Sequence, residues 1–361
     1  MAIYEKRLQQ DLEQIRLAVS SMGNGVETAL KNAMQALLTG NEVLANMTIL
    51  QDYPLDRQCQ ELDRMCHSFI ARHLPSAGHL RLISSSMRMI YELERVADYA
   101  VNICREALDL QMQPTGLIRQ ELESMANNSR TMLRQALTAF VDENAGLARS
   151  TMEMNVQLGT SLAQAFDDLI EEGDTHSGHS RELMDTYVIF TMLERVGNRA
   201  TNLCEEIIFW LTGELPTQKP IRILFLDEEN SSLSLLAEAM ARKGYDRYGS
   251  FASAGRRAAC DKHPYLGDFL RTMGMDHTDL QPKSLDSLDV DTFDLILGLQ
   301  GTVRSYIPRP PFHTAFLNWD LGELPDLTDP LAAKRRFEEI YRELAVHLRQ
   351  LLELLVGREV L

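Results

Sequence analysis

From Glu5 to about Thr212 the apolar residues recur at helical spacing, while Gly and Pro punctuate the pattern at points such as Pro75, Gly78, Pro114 to Gly116 and Gly173 to Gly178. A chain so patterned folds into long helices, predicted over 5–39, 41–73, 77–111, 116–142, 144–172 and 178–213. Each carries an apolar stripe that only another helix can cover, and the connections are short, so the helices pack as antiparallel neighbours. Glu94–Glu106 and Glu194–Glu206 lie 100 residues apart and agree at seven of thirteen positions. Each copy falls in the third helix of its half, as duplication of a three-helix unit would leave it. The expected architecture of residues 1–215 is therefore all-α, two three-helix bundles in tandem.

At Leu215–Pro220 the helical pattern stops in a short proline-bounded linker, and Ile221–Leu226 reads as a buried strand. Strand-like runs at 221–226, 249–254, 293–299 and 313–317 alternate with helical stretches at 231–243, 263–274 and 332–356. Such alternation predicts an α/β domain over 221–361, a parallel sheet flanked by helices.

Charge narrows the partners. The net charge of −16 divides into −12 before Pro216 and −4 after it, and an acidic surface repels both nucleic acid and anionic lipid. The N-terminus carries charges where a secretory signal needs its apolar run, and nothing approaches the roughly 18 apolar residues of a membrane span, so the expected location is the cytoplasm. Five cysteines, widely spaced and without a CxxC pair, read as reduced core residues.

Glu94 and Asp98 stand four apart, on one helical face a turn from each other, and Asp52 and Asp56 repeat the spacing on the preceding helix. Antiparallel packing would bring four hard oxygen ligands together, a set suited to iron, manganese or magnesium more than to zinc. Acidic pairs at this spacing also arise on merely solvated faces. Arg95 and Arg195 sit beside these acids and would neutralise them. His67, His73 and His79 match no ligand spacing and are expected at the surface.

Leu93–Ile103 and Leu193–Leu203 resemble the repeated signature of the PhoU family, Glu-x-x-x-Asp within a longer Leu-Glu-Arg-(Ile/Val)-(Gly/Ala)-Asp-x-Ala-x-Asn-Ile string, and the resemblance extends over 1–215. It implies a six-helix fold and a surface cluster of iron or another divalent metal (manganese, magnesium, zinc), with Glu94 and Asp98 as ligands, Asp52 and Asp56 as partners, and Glu194 in the second copy. That copy departs from the pattern: Asn198 replaces the acid, and Asn155 and Gly159 stand where helix-two acids would fall. An amide supplies no charge, so at most one occupied site is expected. The resemblance further implies a homodimer that represses the phosphate-starvation response by binding the ATPase of a phosphate ABC transporter and a sensor histidine kinase. A metal-dependent phosphate-ester hydrolase, or an accessory of another phosphate carrier, are the alternatives.

Ile223–Met240, together with Ser253–Gly255, resembles low-molecular-weight tyrosine phosphatases and the related arsenate reductases. Their phosphate loop needs a thiolate nucleophile and, in Cys-x5-Arg, a guanidinium clamp. Aligned through Ala237–Ala239, those positions hold Asp227 and Leu233, with Glu228 and Glu229 beside them. Asp227 is expected at the mouth of the loop, repelling phosphate. Asp329 resembles the family's general acid, and Cys260 lies outside the loop. The expectation is a non-enzymatic pseudophosphatase domain.

Overall fold

The computed structural model describes residues 2–110, 113–175, 180–215, 220–276, 278–311, 314–322 and 330–357. They form two compact units, Met1–Thr217 and Gln218–Leu361. The first contains α1 (Ala2–Thr39), α2 (Glu42–Leu50), α3 (Asp52–Arg72), α4 (Ala77–Asp109), α5 (Gly116–Val141), α6 (Ala145–Glu153), α7 (Asn155–Thr175) and α8 (Ser180–Thr212). The predicted helix ends at 111 and 178 lie outside the described residues.

The helices expected at 41–73 and 144–172 are each broken in two. At Gln51 the cause is Pro54, which has no N–H to donate to the Leu50 carbonyl and crowds the turn before it, so the helix restarts. The second break, at Met154, has no proline; there Met154 N–H donates to Thr151 O at 3.2 Å and Gln157 N–H to Met154 O at 3.2 Å, a tightened turn. The two breaks are 103 residues apart, and so are two asparagine N-caps. The Asn41 side chain accepts from Leu44 N–H at 3.0 Å, and that of Asn144 accepts from Leu147 N–H at 2.9 Å. The duplication is thus written in the backbone as well as in the signature string.

Each half is a three-helix bundle, α1 with α2–α3 and α4, then α5 with α6–α7 and α8. Packing of α4 on α8 merges both into one continuous core containing Phe69, Phe140 and Phe190. Cys59, Cys66, Cys104 and Cys204 lie in that core and Cys260 is exposed. Burial pushes the Cys66 and Cys204 thiols up to about 12 and those of Cys59 and Cys104 to about 11, which keeps them protonated packing groups. His73, expected at the surface, is only 4% exposed: its ring fills the gap between Tyr4 and Phe69, and its Nε2 lies 2.9 Å from Asp11 Oδ2.

The second unit runs β1 (Ile221–Asp227), α9 (Leu233–Tyr245), β2 (Gly249–Gly255), α10 (Leu266–Thr272), β3 (Leu295–Gly298), α11 (Val303–Tyr306), β4 (Ala315–Asn318) and α12 (Pro330–Val356). The strands form one sheet in the order β2-β1-β3-β4, all pairs parallel, with Asp227 opposite Gly255 and Leu226 opposite Gly298. β1 is buried from Ile223 to Asp227 because both faces are covered. On one side Ile223 and Phe225 meet Leu236, Phe269 and Phe337; on the other Leu224 and Leu226 meet Ile296 and Val303. The chain leaves β1 for one edge and returns through β3 on the other side, so the switch point lies beyond the C-terminal ends of β1 and β3, where open α/β sheets place their sites. Among the described residues no helix is long and apolar enough to cross a membrane.

Candidate functional site

Two places carry the chemistry marked in the sequence. In the first unit Asp52 and Asp56 lie in the opening turns of α3, placed there by the restart after Gln51, and Glu94 and Asp98 lie on the facing stretch of α4. Burial raises the Asp52, Glu94 and Asp98 carboxyls above their usual range, and the neighbouring acids raise them further: Asp56 and Asp98 act on Asp52, and Asp98, Asp56 and Asp52 on Glu94. The packing has therefore gathered all four carboxylates into one repulsive field. Arg95 relieves part of it, at 4.0 Å from Glu94 Oε2 and 3.9 Å from Asp98 Oδ2. Asp63, one α3 turn beyond Cys59, extends the patch and accepts from the Tyr91 hydroxyl at 3.4 Å, a contact that spacing along a single helix does not show. The donor set suits a hard cation, yet among the described residues no three His, Cys, Asp or Glu side chains stand close enough to hold one ion.

The second half answers position by position. Asn155 Nδ2 donates to Asn198 Oδ1 at 2.8 Å, and Asn198 Nδ2 donates to Glu194 Oε1 at 2.7 Å. Where α3 and α4 set carboxylates against each other, α7 and α8 set amides that bond directly, and Glu194 is tied into that chain. Gly197 makes the approach possible, since a Cβ there would lie 2.2 Å from Leu158 Cδ1 and 3.0 Å from Asn155 Oδ1.

The contrast has a measurable consequence. At neutral pH and low salt Asp98→Asn is expected to stabilise the protein slightly, by less than about 1 kcal/mol, because these part-exposed charges are screened by solvent. A carboxyl whose folded pKa is raised carries a penalty that is fully present above that pKa and disappears as the pH falls through it toward the unfolded value. The advantage of the variant should therefore shrink as the pH is lowered from 7 toward 4 in thermal melts. A variant less stable than its parent at pH 7 would show that the Arg95 contact outweighs the repulsion.

In the second unit the loop after β1 carries Asp227. It is 2% exposed, inside the loop and not at its mouth as the sequence suggested. Asn230 N–H donates to Asp227 Oδ1, and Ser234 N–H, in the first turn of α9, donates to Oδ2 at 2.9 Å. Burial raises the carboxyl, opposed by hydrogen bonds from Ser234, Asn230 and Glu229. The backbone donors that would cradle an oxyanion at this helix start are thus turned onto the chain's own carboxylate.

The loop is braced from outside. Asn230, at φ +50, donates through Nδ2 to Ser234 Oγ at 2.8 Å and accepts from Lys283 N–H at 2.7 Å. Gly255 lies so near that a Cβ would stand 2.5 Å from Asn230 N. Leu233 is fully buried and offers no donor. Glu238, also fully buried, pairs with Arg242 and accepts from the Ser253 hydroxyl, joining two of the motifs singled out in the sequence. Sequence reasoning missed Asn230 and Ser234; the polar run Asn230–Ser232 between a buried strand and a helix was the available signal. Asp329 lies outside the described residues.

Fold and sites together define a tandem three-helix-bundle protein with a carboxylate face, linked to an α/β unit built around a phosphate-type strand–loop–helix. The model of the PhoU domain matches residues 19–107 and 122–207, and that of low molecular weight phosphotyrosine protein phosphatase matches residues 222–360. The chain joins a PhoU domain to a low-molecular-weight phosphotyrosine phosphatase-like domain. Similar proteins include the phosphate-specific transport system accessory protein PhoU homolog of Clostridium acetobutylicum, 27% identical over 210 residues, covering 58% of this chain and 96% of the relative. PhoU of Escherichia coli (strain K12) is 29% identical over 208 residues, covering 56% and 85%. The crystal structure of PhoU from Pseudomonas aeruginosa superposes with a TM-score of 0.55 at 26% identity, covering 57% of this chain and 99% of that one.

Proposed function

We propose that this protein is an accessory regulator of phosphate transport that keeps the phosphate-starvation response off when phosphate is plentiful. The observation that carries this reading is that accessory proteins of the phosphate-specific transport system match the helical unit nearly end to end, 96% of the length of one relative. Regulation would proceed by docking to the ATPase of the transporter and to a sensor histidine kinase, an exchange of partners and not a chemical step.

Within that role Glu94, Asp98, Asp52 and Asp56 would hold iron or another divalent metal: their shared acidic field would attract a cation, and binding would draw the side chains together, since no three of them stand close enough to hold one ion. Glu194 is tied to the Asn198 amide, and with an amide in place of the acid at 198 its affinity for a metal would be much reduced or lost. The phosphatase-like unit would bind without hydrolysing: Asp227 stands at the nucleophile position, where it fills the donor cradle itself, and Leu233 stands at the clamp position.

The test is alkaline phosphatase activity in phosphate-rich cells from which the gene is deleted. Activity is expected to rise on deletion, to fall on complementation with the parent or with Glu194→Ala, and to stay high with Glu94→Ala, Asp98→Ala. Unchanged activity on deletion would refute the regulatory reading. Full complementation by the double variant would detach the role from the carboxylate face.

A further inference from the structure

The offset of 103 residues that relates the caps and breaks of the two halves also pairs α3 with α7, residue for residue. On α7, Val156, Gly159, Ala163, Phe166 and Ile170 follow one another at intervals of three, four, three and four, the spacing of a coiled-coil seam. Among the described residues this seam is not covered. Val156 is 71% exposed, Phe166 45% and Ile170 47%, Ala163 is exposed, and a Cβ at Gly159 would meet nothing within 4 Å. Phe166 is braced from beneath by Tyr187 of α8, with ring centroids 5.2 Å apart.

The corresponding α3 positions are Tyr53, Asp56, Gln60, Asp63 and His67, four of them polar. The half that kept its carboxylates thus has no seam, and the half that lost them has one about four turns long. Small residues at Gly159 and Ala163 let a second helix approach closely, while Phe166 and Ile170 supply the large apolar anchors.

The flanks define the occupant. Beside the seam α7 exposes Asp167, Glu171 and Asp174, and along its whole length it has not one Lys or Arg. Two copies paired through this face would bring acid against acid, and an anionic membrane would be repelled by it. We infer that the exposed seam of α7 docks an amphipathic helix of a partner protein, apolar along one face and flanked by Lys and Arg.

The probe is a fluorescein-labelled amphipathic peptide with Leu at heptad a and d positions and Lys at e and g, titrated with the full-length protein and followed by anisotropy. Two controls are a scrambled peptide of the same composition and a peptide with Glu in place of Lys. The Lys amphipath is expected to bind about tenfold or more tightly than the scramble, and the Glu version not at all.

Phe166→Asp and Ile170→His, each restoring the residue of the first half, should each weaken binding about tenfold, while Met47→Asp on the outer face of α2 leaves it unchanged. Both seam residues are near half exposed, and thermal melts of the two variants should overlay the parent's. Absence of binding, equal binding of the scramble, or indifference to both seam variants would overturn the proposal. So would concentration-dependent self-association in sedimentation that Phe166→Asp abolishes, since the occupant would then be a second copy.

Discussion

Asp227→Ala is expected to lower the stability of the second unit by about 3 kcal/mol. The arithmetic rests on two buried N–H donors, of Asn230 and Ser234, which would lose a charged acceptor together; each unsatisfied buried donor costs about 1–3 kcal/mol. The protein has two tryptophans, Trp210 in the first unit and Trp319 in the second. In a Trp210→Phe background, fluorescence in a urea titration reports the second unit alone. Because the variant leaves a donor cradle without its anion, added formate should restore part of the loss in Asp227→Ala and nothing in the parent. Asp227→Asn, which keeps one acceptor oxygen, should fall between the two. A shift below about 1 kcal/mol for the alanine variant would mean that the loop does not depend on its internal carboxylate.

Gly255→Ala acts on the same loop from the other side. The added Cβ would stand 2.5 Å from Asn230 N, 2.6 Å from the Glu229 carbonyl carbon and 3.0 Å from Glu229 Cα. These are backbone atoms, so no rotamer change relieves the clash, and the 228–230 segment must leave β2. We expect a loss of about 3 kcal/mol by the same fluorescence assay, at the upper end of what overpacking costs. The two substitutions meet at Asn230 and should not add. Once Asp227→Ala has released the loop, Gly255→Ala has less to displace, and the double variant should retain about 1 kcal/mol more than the sum of the single losses implies. Strict additivity would show that the two contacts hold different parts of the structure.

Both experiments bear on what the second unit retains. With Asp227 and Leu233 at the two positions aligned in the sequence, the unit braces the loop through a network: Asn230 to Ser234 and Lys283, and Gly255 to Lys283 O at 2.9 Å. A loop whose backbone donors are already occupied by its own carboxylate agrees with the proposed binding role.

The one-dimensional pattern determined a great deal here. Helix positions in 1–215, the duplication, the change to a parallel α/β unit after Pro220 and the pairing of Glu94 with Asp98 all follow from interactions within one or two turns, which spacing along the chain encodes directly. Pro54 carried a signal that the unbroken 41–73 helix passed over, since its missing N–H leaves the Leu50 carbonyl without a helical donor.

Other features depended on which distant segments meet. Asp227 is polar and sits beside two glutamates, so sequence places it facing solvent; only the folding back of α9 and β2 turns it inward and supplies its donors. His73 looks like a surface residue until Tyr4 and Phe69 close around it. The amide chain Asn155–Asn198–Glu194 joins two helices whose register no single-helix period contains. The α7 seam has the same period as any buried stripe, and its apolar residues would ordinarily be assigned to the core. Burial is a property of the neighbour as much as of the residue, and among the described residues the outer faces of Val156, Phe166 and Ile170 are left uncovered. The sequence by itself decided where the helices are and which residues share their faces. Which of those faces the chain covers, and which it leaves for a partner, was decided only by tertiary packing.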